Sequence, residues 1–259
     1  MKQYLYLSFI SAFTILALSN ALSNISHALA GSKIKTRPFV VSEKVKRDKP
    51  KLVLIGGCAG TGKSTFGMSI ALDQGILKCI STDTVRAVMR SFIPKDISPA
   101  LHRSSYAPSS EDDDPVRSWR ETCTVLEASV EGLVDDAITR GVGLVIEGVS
   151  IVPSTKLIQR WEEGGGVATG CLLMVPDESA HKSLLLRRGH IDSGQREKDE
   201  KKLKAFNRIR KIQDEMACLA RQSNWMIIEQ DVDPDPLEII EERLYSGNNT
   251  IEGDASATA

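Results

Sequence analysis

The sequence has 259 residues, which suits one well-cored domain and is short for two. Charged residues make up 26% of the chain, and the formal net charge at pH 7 is -1. This balance excludes a chain-wide electrostatic attraction for nucleic acid or for an anionic membrane, so any anion binding must be local.

The first 42 residues differ in composition from the rest because they contain no Asp or Glu. The apolar run 4–18 is shorter than a membrane-spanning helix, and together with the small residues 28–30 it is typical of a signal peptide. The basic stretch 31–42 resembles a transit peptide, so residues 1–48 are predicted to be a targeting leader and linker for import into a plastid-like organelle, with no membrane span after processing. Secretion, an uncleaved anchor and a mispredicted start are the alternatives, and a leader that does not function would leave the protein in the cytoplasm.

From residue 49 onward, short apolar runs alternate with amphipathic ones, which is typical of repeated βα units. Buried strands are predicted at residues 51–56, 78–81, 144–147, 171–175 and 225–228. Helices are predicted at residues 64–75, 82–92, 119–140, 153–163 and 178–188, and in a long helix whose inner face comprises Leu203, Phe206, Ile209, Ile212, Met216 and Leu219. The stretch 94–118 is expected to be a long connection, and the tail 246–259 is expected to be disordered. We therefore expect an α/β domain over residues 49–245, with helices on both faces of a five-stranded parallel sheet.

The stretch LIGGCAGTGKST, residues 54–65, lies between the first predicted strand and the first predicted helix. It satisfies the motif GxxxxGK[ST], whose glycines allow backbone N–H groups to surround a phosphate at a helix N-terminus. Lys63 is expected to reach the β- and γ-phosphates of ATP, and Ser64 is expected to hold Mg²⁺. GTP is not excluded. The predicted nucleotide-binding residues are Gly57, Cys58, Ala59, Gly60, Thr61, Gly62, Lys63, Ser64 and Thr65.

Candidate acceptor-side residues follow the second and third predicted strands, where ligands bind in doubly wound sheets. Asp83 is expected to accept a proton from an acceptor hydroxyl, and the alternatives for it are a helix cap or a first-turn acid. Arg86 is expected to bind an acidic group on the acceptor, whereas Arg90 is equally consistent with a surface position. Glu147 is expected to hold a water on Mg²⁺ or to act as a base, and a satisfied strand-end acid is the alternative.

Arginines for the transition state are expected from a mobile lid. Arg187, Arg188 and Arg196 flank a polar, Gly-containing loop at residues 189–198, and one of the first two is expected to be catalytic.

Five scattered cysteines form no CxxC pair and are read as reduced thiols. Cys79, Cys123, Cys171 and Cys218 are expected to be small buried hydrophobes. Cys58 differs because it lies in the phosphate loop, and its oxidation is hypothesised to block nucleotide entry.

With these motifs, the chain over about residues 50–245 resembles the 2-phosphoglycerate kinase family, P-loop kinases with archaeal members and plant relatives linked to phytic acid. The most specific carriers are LHRSSY, residues 101–106, and FNRIRKIQDEM, residues 206–216; DPVR, LVIEGVSIVP and HKSLLLRR add to them. The resemblance implies a P-loop NTPase fold of three layers, like that of nucleoside and nucleotide kinases. It also implies transfer of the γ-phosphoryl group of ATP to the 3-hydroxyl of 2-phosphoglycerate.

The same resemblance implies an acceptor site that contains Arg86, His102, Arg103 and Tyr106, with Arg208 and Arg210 as further candidates. The chain departs from the family at Ser150, where relatives tend to carry a histidine, and at its N-terminus, where archaeal members carry an additional segment. An inositol phosphate is therefore an alternative acceptor. A zeta-toxin-like or other small-metabolite kinase and an ATP-binding regulator without turnover are alternative functions, and the oligomeric state is left open.

Overall fold

The five-stranded sheet is parallel throughout, with the strand order β2-β3-β1-β4-β5. The computed structural model describes residues 49–108, 113–187, 203–229 and 235–246. The strands are β1 Lys51–Gly57, β2 Cys79–Ser81, β3 Leu144–Gly148, β4 Val167–Met174 and β5 Met226–Glu229. The predicted P-loop NTPase architecture, a five-stranded parallel sheet between helices, is confirmed.

Helices follow the strands in the order expected of crossover connections. In chain order they are α1 Lys63–Asp73, α2 Thr82–Arg90, α3 Pro99–His102, α4 Pro115–Arg140, α5 Lys156–Glu163, α6 Glu178–Arg187, α7 Phe206–Gln222 and α8 Pro236–Ser246. No helix among these described segments is long and apolar enough to cross a membrane.

The alternation of side chains along β1 divides the core into two parts. Leu52 and Leu54 pack with the side chains of α4, α5 and α7, whereas Val53 and Ile55 pack with those of α1 and α8. Successive strand residues point to opposite faces of a sheet, so a continuous apolar run such as that of β1 must be covered on both faces. The result is the three-layer arrangement, with the carboxyl end of β1 at the centre of one sheet edge.

Several predicted boundaries were wrong for identifiable reasons. β4 begins at Val167 rather than at residue 171, because its first residues pair with β1 from Lys51 onward. Pro153 does not begin α5, whose N-cap is Thr155. α4 begins at Pro115, where the Asp114 carboxylate accepts from the Val116 N–H at 3.0 Å.

Other corrections concern segments and burial. The predicted connection 94–118 contains α3 and the first turn of α4, and α8 was not predicted at all. Leu203 is exposed, so it does not belong to the inner face assigned to it. Cys79 and Cys218 are exposed as well, whereas Cys123 and Cys171 are buried as expected.

The leader at residues 1–48, Arg188 and the loop 189–198, and the tail beyond residue 246 lie outside the described residues. The predictions made for them stay predictions.

Gly170 of β4 packs directly against the indole ring of Trp225. A Cβ at this position would be 2.3 Å from Cε2 of Trp225, whose indole is buried and donates to the Ser154 carbonyl at 3.0 Å. Since the indole cannot move without losing that hydrogen bond, Gly170→Ala should lower the free energy of unfolding by roughly 1–3 kcal/mol in urea titrations.

Gly132→Ala is the matched control, because a Cβ at that exposed position of α4 meets nothing within 4 Å. It should raise the free energy of unfolding by roughly 0.5–1 kcal/mol. Equal effects of the two substitutions would contradict this account of Gly170.

Candidate active site

The loop between β1 and α1 is shaped by two glycines in the left-handed region. Gly60 has φ 87° and Gly62 has φ 83°, and Gly62 is the N-cap of α1. Gly62 supplies no side chain to cap the helix, and the first turn of α1 contains no acidic residue. The open N–H groups of a helix N-terminus attract anions, so this end of α1 is built to receive a phosphate.

Lys63 lies along the inside of this loop. It is only 8% exposed, and its Nζ donates to the Cys58 carbonyl at 3.3 Å. The ammonium group is therefore held against the loop that the sequence motif assigns to phosphate.

Ser64 and Glu147 form a pair beside the loop. Glu147 ends a run of fully buried β3 residues and is itself 5% exposed; its Oε1 accepts from the Ser64 hydroxyl at 3.1 Å. Its Oε2 is buried and has no hydrogen-bond partner among the described residues. β1 and β3 pair in parallel with Ile55 opposite Glu147, which fixes the carboxylate next to the loop.

The oxygen donors of this pair fit Mg²⁺. Mg²⁺ is commonly held by one or two protein oxygens together with phosphate oxygens and water. A hydroxyl, a carboxylate and a buried oxygen without a partner supply that donor set. Within the described ranges, no group of three or more His, Cys, Asp and Glu side chains could hold a metal ion by itself.

A cavity of about 410 Å³ opens next to the loop on the side of α2 and α3. It carries positive side chains and one carboxylate, that of Asp83. Its lining residues are Ala59, Lys63, Asp83, Arg86, Arg90, His102, Ser104, Ser105, Tyr106 and Val149. Six predicted site residues thus line one space, namely Ala59, Lys63, Asp83, Arg86, His102 and Tyr106.

Asp83 lies in the first turn of α2 and is exposed. It is not the helix cap, because the Ser81 hydroxyl accepts from the Asp83 N–H at 3.2 Å and Ser81 is the N-cap. The capping alternative is therefore wrong. The carboxylate faces the cavity, close enough to Arg86 and Tyr106 to influence the pKa of both.

Arg86 is 4% exposed and donates hydrogen bonds to the segment 100–105. It donates through Nε to the Leu101 carbonyl at 2.9 Å, through Nη1 to the Ser105 hydroxyl at 2.8 Å, and through Nη2 to the carbonyls of Ala100 and Arg103. Burial, and then the neighbouring Arg90, lower the pKa of Arg86 to about 10, which leaves it charged at neutral pH. Most of its hydrogen-bonding capacity is therefore used by the protein.

The other predicted acceptor residues separate into two groups. His102 lines the cavity, and its Nε2 lies 2.6 Å from the Ile93 carbonyl. Arg103 points to α4, where it donates to the Ser118 carbonyl at 2.8 Å and to Glu121 at 2.7 Å. Arg208 donates to the Tyr106 carbonyl at 3.0 Å and pairs with Asp113. Arg103 and Arg208 are thus absent from the cavity wall.

Ala59 in the phosphate loop is held on both sides. The Tyr106 hydroxyl accepts from the Ala59 N–H at 2.7 Å, and Nε2 of His181 lies 2.8 Å from the Ala59 carbonyl. Since a carbonyl only accepts, Nε2 carries the proton. Sequence analysis missed His181, although it lies in the quoted HKSLLLRR stretch.

His181 is fully buried on α6 with its ring edge against Phe206, at 5.4 Å between centroids. Its Nδ1 is 3.5 Å from Arg210, which itself donates to the Val175 and Pro176 carbonyls at 2.6 and 2.8 Å. Burial lowers the pKa of His181, and Arg210 lowers it further against the opposing effect of the hydrogen bond. The neutral ring therefore links α6 to the loop.

Cys58 is fully buried behind the loop, and its Sγ donates to the Ile209 carbonyl at 3.5 Å. Burial raises the pKa of the thiol to about 12. A buried, protonated thiol is a poor nucleophile, which argues against ready oxidation of Cys58; the hypothesis that its oxidation blocks nucleotide entry stays a prediction.

No protein-family model matches the chain. The 2-phosphoglycerate kinase of Methanocaldococcus jannaschii is 33% identical over 218 residues, which cover 80% of this chain and 69% of the relative. The chain belongs to the 2-phosphoglycerate kinase family. It is a phosphotransferase, and the family resemblance inferred from its motifs is confirmed.

Other relatives match a smaller part of their own length. The 2-phosphoglycerate kinase of Methanopyrus kandleri is 33% identical over 175 residues, 65% of this kinase and 53% of that relative. That of Methanothermobacter thermautotrophicus is 32% identical over 156 residues, 56% and 49% of the two chains. The chain thus spans about half the length of these two relatives.

Solved structures of other kinases align with most of the chain at lower similarity. A shikimate kinase from Acinetobacter baumannii has 16% identity and a TM-score of 0.44, covering 78% of this chain and 96% of its own. A gluconokinase from Sinorhizobium meliloti has 17% identity and a TM-score of 0.43, and the alignment covers 77% of this chain and 92% of the gluconokinase.

Tyr106→Phe should lower the free energy of unfolding by roughly 1–3 kcal/mol, because the Ala59 N–H loses its acceptor while the ring remains. Urea unfolding measures the change. Tyr245→Phe is the control: that residue is 42% exposed, so its hydroxyl should contribute within about 0.5 kcal/mol. Equal effects would contradict the bond to Ala59.

His181 should make stability depend on pH. Its folded-state pKa lies below the ordinary 6.5, so the unfolded chain binds this proton more readily and stability falls as pH drops through 6.5. Comparing the free energy of unfolding from pH 7.5 to 5.5, His181→Gln should show a shallower loss than the unsubstituted chain. Parallel pH profiles would show that His181 is not the group responsible.

Proposed function

We propose that the chain transfers the γ-phosphoryl group of ATP to a hydroxyl of a small phosphorylated acid, with 2-phosphoglycerate as the preferred acceptor and 2,3-bisphosphoglycerate as product. One observation carries the proposal: Lys63 of the phosphate motif and the Asp83 carboxylate line one cavity, and the residue next to Lys63, Ser64, is hydrogen-bonded to Glu147. The names of the relatives support the choice of acceptor.

The nucleotide side of the reaction rests on the loop and on the start of α1. The loop N–H groups and the helix N-terminus would hold the phosphates, and Lys63 would turn from the Cys58 carbonyl to the γ-phosphate. Ser64 and Glu147 would hold Mg²⁺, which neutralises charge on the phosphate oxygens.

The acceptor side uses the cavity. The acceptor oxygen forms a bond to the γ-phosphorus as the bond from that phosphorus to the β–γ bridging oxygen breaks, and ADP leaves. Asp83 accepts the hydroxyl proton, since its exposed carboxylate faces the cavity from α2. The surrounding cations, Lys63, Arg86 and Arg90, favour an acceptor that carries negative charge.

Phosphorus NMR of the full chain with Mg-ATP and 2-phosphoglycerate tests the proposal. A new bisphosphoglycerate resonance with matching ADP is expected. Lys63→Ala should abolish transfer, and Asp83→Asn should lower kcat by about 10² to 10⁴ because the proton acceptor is lost. Wild-type kcat in Asp83→Asn would remove the base assignment.

A parallel panel of inositol phosphates separates the alternatives. ADP formation only with an inositol phosphate would replace the acceptor while keeping the kinase chemistry. Tight ATP binding with no transfer to any acceptor would identify a regulator instead.

A further inference from the structure

Arg86 and Arg90 lie four residues apart on α2, and both line the cavity that also contains Asp83. Residues at this spacing share one face of a helix. By residue type and position the two arginines are equivalent candidates for an acidic group on the acceptor. Their hydrogen bonds separate them.

The guanidinium group of Arg86 has no pair of free N–H groups with which to bind an anion. Four of the five N–H groups of a guanidinium are accounted for by its bonds to Ala100, Leu101, Arg103 and Ser105. These partners belong to the segment 100–105, which includes the end of α3, and the side chain is buried among them. The hydrogen bonds of Arg86 therefore hold this segment in place as part of the cavity wall.

Arg90 is bonded differently. Its Nε donates to the Leu101 carbonyl at 2.8 Å, the same oxygen that accepts from Nε of Arg86 at 2.9 Å. Its side chain is exposed, and neither Nη group has a hydrogen-bond or carboxylate partner among the described residues. A single bond through Nε orients the guanidinium and leaves its planar Nη fork open, and such a fork matches a carboxylate or phosphate.

The shared carbonyl also places two positive groups side by side. Asp83 is the only carboxylate in the cavity lining that the structure describes, so the lining does not neutralise the positive charge. An anion in the cavity would relieve the repulsion between the two guanidinium groups.

We propose that Arg90 binds the acidic group of the acceptor through its Nη fork, and that Arg86 shapes the cavity through segment 100–105 without binding the acceptor directly. This assignment rests on the proposed function. The ligand chemistry is an oxyanion, either the phosphate or the carboxylate of the acceptor.

Steady-state kinetics of Arg90→Gln and Arg86→Gln in the full chain test the division. Arg90→Gln should raise the KM for 2-phosphoglycerate at least about tenfold, since a charge-assisted hydrogen bond is lost, while the KM for ATP and the unfolding midpoint hardly change. Arg90→Lys should recover part of the loss, because it keeps the charge without the fork. Arg86→Gln should lower the unfolding midpoint, because four donors to segment 100–105 are removed.

An unchanged KM for 2-phosphoglycerate in Arg90→Gln, with wild-type transfer intact, would overturn the inference and leave the proposed function standing. Transfer only to an inositol phosphate, with a KM that rises in Arg90→Gln, would replace the acceptor and support Arg90.

Calorimetric titration with 2-phosphoglycerate, glycerate and inorganic phosphate identifies the group that is bound. Loss of phosphate binding in Arg90→Gln assigns the fork to the phosphate, and loss of glycerate binding assigns it to the carboxylate. A wild-type chain that binds none of these probes and transfers to no phosphorylated acceptor would overturn both proposals.

Discussion

The parallel pairing of β1 with β3 is the constraint on which the site depends. Gly56 lies opposite Gly148 and Ile55 opposite Glu147, so the two strands end within one residue of each other. Parallel strands end together at one sheet edge, and the loops that leave them face one another. The Ser64 hydroxyl meets the Glu147 carboxylate because of this register, although 83 residues separate them in the sequence.

Backbone carbonyl groups organise most of the arginines around that edge. Arg86, Arg90, Arg103, Arg208 and Arg210 each donate to at least one main-chain oxygen. Buried backbone carbonyl groups need donors, and arginine supplies five. These hydrogen bonds hold irregular backbone in place, and two of the five arginines, Arg86 and Arg90, also give the cavity positive charge.

The fold was predictable because its signals are local. Apolar runs identified all five strands, and the glycine-rich motif after β1 identified the loop. The start of β4 was missed because the residues before Cys171, including Thr169 and Gly170, do not form a continuous apolar run. They are in the strand because they pair with β1, and this pairing between distant segments cannot be read from the local sequence. Helix α8 was missed beside the polar tail, where burial of Ile240 and Leu244 depends on the sheet.

The site was predictable only in part. Lys63, Ser64 and Asp83 follow a known loop or a strand, and Glu147 lies near the end of β3, so their positions could be inferred from sequence order. The partners of an arginine cannot be inferred in that way. The family resemblance placed Arg103 in the acceptor site, yet its guanidinium donates hydrogen bonds to Ser118 and Glu121 of α4. His181 lies 122 residues from the loop that it contacts, a distance over which no local pattern carries information.

The double anchoring of Ala59 has a thermodynamic consequence. Tyr106 borders the cavity and His181 belongs to α6, while the peptide groups that they hold belong to the phosphate-motif loop. A ligand that favours one position of the Tyr106 ring therefore changes the free energy of the loop. By thermodynamic linkage the effect is mutual. If a ligand at the cavity changes the affinity of the loop for its ligand by some factor, the loop ligand changes the affinity of the cavity by the same factor.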